Sequence, residues 1–175
     1  MRLRGMVLAA LAAFAGCAPP QATPHRPQTP AAAVPVETGR LLGAWHVAAR
    51  LPNEFERDCV EISVAYGRRA DGFISVLDQC RRRDGVVRVA EGRMRFAGAD
   101  GEGKFKRALA SPVWEDYWVL ARGVDYSWAI LGAPDGSTLW VLTRRQETSS
   151  AERAFYEEQV ADVGYRPSDL VWAAR

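Results

Sequence analysis

Residues 59–80 read CVEISVAYGRRADGFISVLDQC. Within them, Val60-Glu61-Ile62-Ser63-Val64 and Ile74-Ser75-Val76 alternate apolar and polar side chains. A period of two places the apolar groups on one face of an extended chain, so both runs read as half-buried strands. Asp71-Gly72 between them supplies a tight turn, which makes the stretch a hairpin. Working outward, the same reading gives strands at about 43–51, 59–67, 72–80, 86–96, 102–109, 115–122, 126–132 and 138–144. Asp84-Gly85, Gly98 to Gly103, Gly123 and Asp135-Gly136 punctuate them. Eight short strands joined by tight turns point to an antiparallel up-and-down barrel or a sandwich, and propensity alone does not choose between the two.

Beyond the eighth strand the period changes. Ser149-Ser150-Ala151-Glu152 fits a capping box with Ser as the N-cap, and Gly164 is a C-terminal stop. Phe155, Tyr156, Gln159, Val160 and Val163 share one helical face. That predicts a helix packed on the outside of the sheet. It also explains why Leu139-Trp140-Val141-Leu142 is apolar on both faces. A final extended piece, about Leu170 to Ala173, is expected to join the sheet.

The N-terminal region reads differently. Met1-Arg2-Leu3-Arg4 is basic, and Gly5 to Ala15 is an apolar run of 11 residues. The run is too short to span a bilayer and suits a signal peptide. Residues 18–36 hold six of the ten prolines and read as an extended tether. Removing Arg2 and Arg4 with the signal leaves 21 basic residues against 21 acidic. A neutral chain offers no electrostatic case for nucleic acid.

Three short motifs carry a family resemblance. Gly43-Ala44-Trp45 resembles the G-x-W motif that opens the first strand of lipocalins. Asp125-Tyr126 resembles the second motif of that family and Arg144 the third. Arg50 to Arg57, Asp116 to Leu120, Asp125 to Ala129 and Leu139 to Leu142 are similar, in order and spacing, to bacterial lipocalins and apolipoprotein D relatives. The resemblance implies an eight-stranded antiparallel β-barrel with one C-terminal α-helix outside. It implies that Trp45 closes the barrel base with Arg144 stacked on its ring. Phe14-Ala15-Gly16-Cys17 resembles a lipoprotein lipobox, in which the Cys becomes the acylated N-terminus. Ala18, not Asp, follows it, which in that class implies sorting to the outer membrane with the domain facing the periplasm. The expected organisation is a signal peptide at 1–16, a lipidated Cys17 and tether at 17–36, and a lipocalin domain at 37–175.

The family reading implies a binding module, not an enzyme, with a fatty acid or lysophospholipid as ligand and no cofactor. Its expected partners are that lipid and, through Cys17, the membrane, with a homodimer left open. Among the aromatics, Tyr117, Trp118, Trp128 and Trp140 are the candidate lumen-lining ligand contacts. Cys59 and Cys80 lie on neighbouring strands of one hairpin, and with Cys17 assigned to lipid they are the expected disulfide. The alternative is a lipocalin-fold enzyme or haem protein acting through a free Cys59 thiol or through His46. With two His in the chain, one of them in the tether, no multi-His zinc site can form. Glu54, Glu56 and Asp58 read as a solvated loop. Arg81, Arg82, Arg83, Arg88, Arg93 and Arg95 form a basic patch that could meet an anionic headgroup if it lies near the barrel mouth.

Overall fold

A computed structural model describes residues 32–174. The signal segment, Cys17 and most of the tether lie outside the described residues. A short helix, α1 (Thr38–Leu41), leads into β1 (Gly43–Arg50). Then follow β2 (Cys59–Arg68), β3 (Ile74–Arg82), β4 (Val87–Phe96), β5 (Lys104–Leu109), β6 (Glu115–Arg122), β7 (Trp128–Gly132) and β8 (Leu139–Thr143). Each strand pairs antiparallel with the next, and β8 returns to β1, so the sheet closes on itself. Closure removes every unpaired sheet edge that a sandwich would leave. It settles the choice that propensity left open.

The helix α2 (Ser150–Asp162) begins at the expected capping box, with Ser149 and Glu152 bonding each other's backbone N–H. Its Tyr156 and Val160 are buried against Ala48, Ala49, Leu120, Ile130, Leu139 and Val141 on the outer wall. The inner wall is a separate cluster that includes Trp45, Val64, Val76, Met94, Phe105, Val119, Leu131 and Leu142. Strand alternation divides the two: neighbours in sequence serve opposite faces.

Both ends of the described chain complete the wall. Lower β1 pairs with β2, whereas Ala49 and Arg50 pair with a ninth strand, β9 (Val171–Trp172). Ala173 donates to the Ala48 carbonyl and Ala174 to that of Val60, so β9 bridges a gap between β1 and β2. Residues 34–36, expected in the tether, do the same beside β6. Val34 N–H donates to the Val119 carbonyl at 2.8 Å and Val36 N–H to that of Gly101 at 2.9 Å. Those bonds draw the last tether residues into the fold, and Val36 is buried in the inner cluster. The approach needs Gly103, since a Cβ there would sit 2.1 Å from the Val34 carbonyl oxygen.

Cys59 and Cys80 form a disulfide across β2 and β3, with Cα atoms 5.4 Å apart. A bulge in β2 between Cys59 and Glu61 sets Cys59 opposite Arg82, so the disulfide runs diagonally across the ladder to Cys80. The loop it closes spans a sequence separation of 21. Cys59→Ser with Cys80→Ser should therefore lower unfolding free energy by about 3 kcal/mol. Urea denaturation of the double variant beside the oxidised protein checks this; equal midpoints would contradict it.

Candidate functional site: the barrel lumen

The base of the barrel is closed by the three motifs. Trp45 is fully buried and donates its indole N–H to the Leu41 carbonyl at 2.8 Å. The Arg144 guanidinium lies 3.6 Å from the Trp45 ring centroid. It donates to the carbonyls of Arg40, Leu42 and Ala44 at 2.7, 2.9 and 2.7 Å. A planar fork suits this double task of stacking and donating. Gly43, at φ +93°, turns the chain under that fork. Tyr126, also in the left-handed region at φ 59°, is sandwiched between the guanidinium groups of Arg40 and Arg122, at 4.4 and 4.6 Å. Its hydroxyl accepts from Glu37 N–H at 2.6 Å. Asp125 fixes the turn by accepting from the Ser127 N–H and hydroxyl. These residues are held by α1 and the strand ends, and they leave the other end of the barrel as the entrance.

At that entrance the loop between β1 and β2 folds inward. Glu56, expected in solvent, is 5% exposed. Its carboxylate pairs with Arg50 at 3.2 Å and accepts from the Trp140 indole N–H at 3.2 Å to each oxygen. Asn53 also donates to it, and Arg50 donates to the Glu56 carbonyl at 2.6 Å. Glu56 differs from its neighbours Glu54 and Asp58 because buried Arg50, on the inward side of β1, demands a partner. Burial draws the Arg50 guanidinium down from its usual value, and the charge of Glu56 opposes that shift.

Deeper in the lumen lies a second polar group. Arg107 of β5 projects between Tyr117 and Trp140, its guanidinium 4.3 and 4.5 Å from their ring centroids. Asp78 of β3 approaches it at 3.7 Å. The hydroxyls of Tyr66 and Tyr117 meet across the lumen at 2.7 Å. Burial pushes the Tyr117 phenol up to about 12 and that of Tyr66 well above its ordinary value, so both stay neutral at physiological pH. The other buried inward side chains are apolar, and Val76, Met94, Phe105 and Leu131 are packed to 1% exposure or less, so they fill the barrel interior around these polar groups. An apolar interior with a few placed polar groups has the composition of a small-molecule site, and a ligand enters it by displacing these side chains.

Tyr117 and Trp140 therefore line the lumen and touch each other at 5.5 Å. Trp118 and Trp128 do not. They are one parity step off the inward positions, and both pack in the outer cluster. Trp128 meets Phe155 and Tyr156 of α2 at 5.3 and 6.0 Å. Trp118 lies 5.6 Å from Lys104. His46 likewise stands between inward Trp45 and Val47, so it faces outward and cannot ligate a group held inside the barrel. Cys59 is consumed by its disulfide and offers no thiolate.

The basic patch is split between the two faces: Arg81, Arg93 and Arg95 point outward, whereas Arg82 and Arg88 share the inward parity of Cys80 and Ala90 at the strand ends. Arg81 pairs with Glu61, and Arg82 approaches Asp58 and Asp84. Arg88 packs on Phe55, and Arg93 and Arg95 lie over Trp114. Sequence reading missed Arg50, Glu56, Tyr66, Asp78 and Arg107. The signal was present in parity: Val76, Asp78 and Cys80 share a face, as do Phe105 and Arg107.

Comparison with known proteins agrees with this geometry. Residues 36–175 match the model of the lipocalin-like domain. The outer membrane lipoprotein Blc of Escherichia coli (strain K12) is 30% identical over 173 residues, covering 98% of this chain and 97% of that protein. Temperature-induced lipocalin-1 of Arabidopsis thaliana is 27% identical over 139 residues, 75% of each chain. Among solved structures, insecticyanin from the tobacco hornworm Manduca sexta superposes with a TM-score of 0.66 at 20% identity, covering 87% of this chain and 88% of that one. The amine binding protein of Rhodnius prolixus, solved as its tryptamine complex, gives 0.60 at 16%, covering 85% and 86%. With a family match across the whole barrel and helix, and its three motifs meeting at the barrel base, the chain belongs to the lipocalin-like domain family.

Proposed function

We infer that this protein is an outer-membrane-anchored carrier that takes up an amphiphilic lipid, a fatty acid or lysophospholipid, in its barrel lumen. The observation that carries this reading is a polar group inside an otherwise apolar barrel: Arg107, Asp78, Tyr66 and Tyr117 lie among packed apolar side chains above the closed base. Burying an acyl chain contributes roughly 0.8 kcal/mol per methylene, and the polar groups would fix the head. The relatives named outer membrane lipoprotein support the location, as does the apolar run ending at Cys17. The base residues Trp45, Tyr126 and Arg144 are structural in this reading. Binding is the role in this reading; the Cys59 sulfur is held in its disulfide, and His46 lies between inward Trp45 and Val47.

Native mass spectrometry of protein extracted from its own envelope tests the reading. A bound lipid of fatty-acid or lysophospholipid mass, released on denaturation, is the expected result. Protein that emerges ligand-free and ignores both lipid classes when titrated would overturn it. In the same preparation Cys17→Ser should abolish fatty-acid labelling and remove the protein from the outer membrane fraction.

A further inference from the structure

The lumen is more polar than an acyl chain alone requires. Four ionisable side chains are buried on its inward side: Arg50 from β1 and Glu56 from the entrance loop at one end, and Asp78 from β3 and Arg107 from β5 deeper. Tyr66 of β2, Tyr117 of β6 and Trp140 of β8 complete the ring. The buried lining from β4 and β7, including Ala90, Met94, Ala129 and Leu131, is apolar; Arg88 of β4 and Glu115 of β6 share the inward parity but are exposed at the strand ends.

The two ion pairs differ. Arg50 and Glu56 are satisfied by each other, Asn53 and Trp140. Arg107 and Asp78 are not: 3.7 Å lies outside hydrogen-bonding distance. Asp78 Oδ1 and Arg107 Nε are both buried with no hydrogen-bond partner, in side chains only 11% and 8% exposed. Unpaired buried polar atoms are costly, and two of them on one ion pair call for a further partner.

We propose that Arg107, with the Tyr66 and Tyr117 hydroxyls, receives the carboxylate of a fatty acid inside the lumen, and that Asp78 takes up one proton from solvent as it binds. The inference rests on the lipid-binding reading and specifies its chemistry. Charge makes the argument. Arg50 and Arg107 balance Glu56 and Asp78, so the empty cluster is neutral. A carboxylate entering it adds one buried negative charge. One proton restores neutrality, and the hydrogen moves onto the Asp78 carboxylate, which becomes a donor to the incoming anion. Asp78 is the group suited to accept it. Burial already lifts its carboxyl to about 6, with Arg107 opposing the rise and Glu56 adding to it. A fatty alcohol brings no charge and needs no proton. A lysophospholipid whose head stays at the rim needs none either.

The test titrates cis-parinaric acid, parinaryl alcohol and a competing lysophosphatidylethanolamine into the chain from residue 17, carrying Cys17→Ser. Between pH 6.5 and 8 the acid is ionised in water. Its affinity should fall by nearly tenfold per pH unit and level off below about 6, where Asp78 is already protonated. The alcohol and the lysolipid should show no slope. Asp78→Asn should flatten the acid's profile and bind it at least tenfold tighter at pH 8. Arg107→Gln should weaken the acid at least tenfold and leave the alcohol nearly unchanged, with circular dichroism confirming the barrel. A flat profile for the acid, or a slope that survives Asp78→Asn because the ligand itself carries the proton, would overturn the proposal and leave lipid binding standing. Failure of all three probes would overturn both readings.

Discussion

Trp45→Ala should lower the stability of the barrel by about 3–5 kcal/mol, and the melting temperature by about 10 °C or more. The ring is fully buried at the base, and its loss does more than leave a cavity. The Arg144 guanidinium loses the surface it stacks on at 3.6 Å, and the Leu41 carbonyl loses its donor. α1 is then attached less firmly, although Arg144 can still donate to the carbonyls of Arg40 and Leu42. Arg144→Ala should cost less, about 1–2 kcal/mol, because the side chain is half-exposed and water can replace part of what it donates. Differential scanning calorimetry gives both values, and a Trp45→Ala protein that melts with the parent would show that the base does not depend on the ring.

Glu56→Ala should cost a comparable amount, about 3–5 kcal/mol, for a different reason. The loss leaves Arg50 charged and unpaired in a buried site, and the Trp140 indole N–H loses its acceptor. Glu56→Gln should recover part of the loss by keeping an acceptor for Trp140 while still leaving Arg50 without a counter-charge. Because the entrance loop is held down by this carboxylate, the alanine variant should also admit ligand faster. Urea unfolding and stopped-flow mixing with a fluorescent fatty acid measure the two effects. An unchanged midpoint would mean that water reaches Arg50 and that the loop is not a latch.

Hairpins were the most legible part of the fold. Alternation in Val60 to Val64 and the Asp71-Gly72 turn specify β2 and β3 from local information, and the Ser149 box specifies where α2 starts. Closure was not local. It depends on β8 meeting β1, nearly a hundred residues apart, and only the motif resemblance anticipated it. The lumen was harder. Residue type alone points to the large aromatic side chains as ligand contacts and passes over the charged ones. Parity then placed Trp118 and Trp128 outside with α2, and Asp78 and Arg107 inside. In sequence Glu56 is one of an acidic cluster with Glu54 and Asp58, which reads as a solvated loop. Its burial follows from Arg50, a partner whose inward direction depends on the bulge in β1 between Val47 and Ala49.

The central claim is that an amphiphile occupies the lumen, and photo-cross-linking tests it most directly. A fatty acid bearing a diazirine on its chain would be bound to the protein, irradiated and mapped by peptide mass spectrometry. The account predicts adducts on inward residues such as Val76, Met94, Tyr117 and Trp140, with none at the α2 face. Adducts confined to Trp118, Trp128 or Phe155 on the outer wall would contradict it.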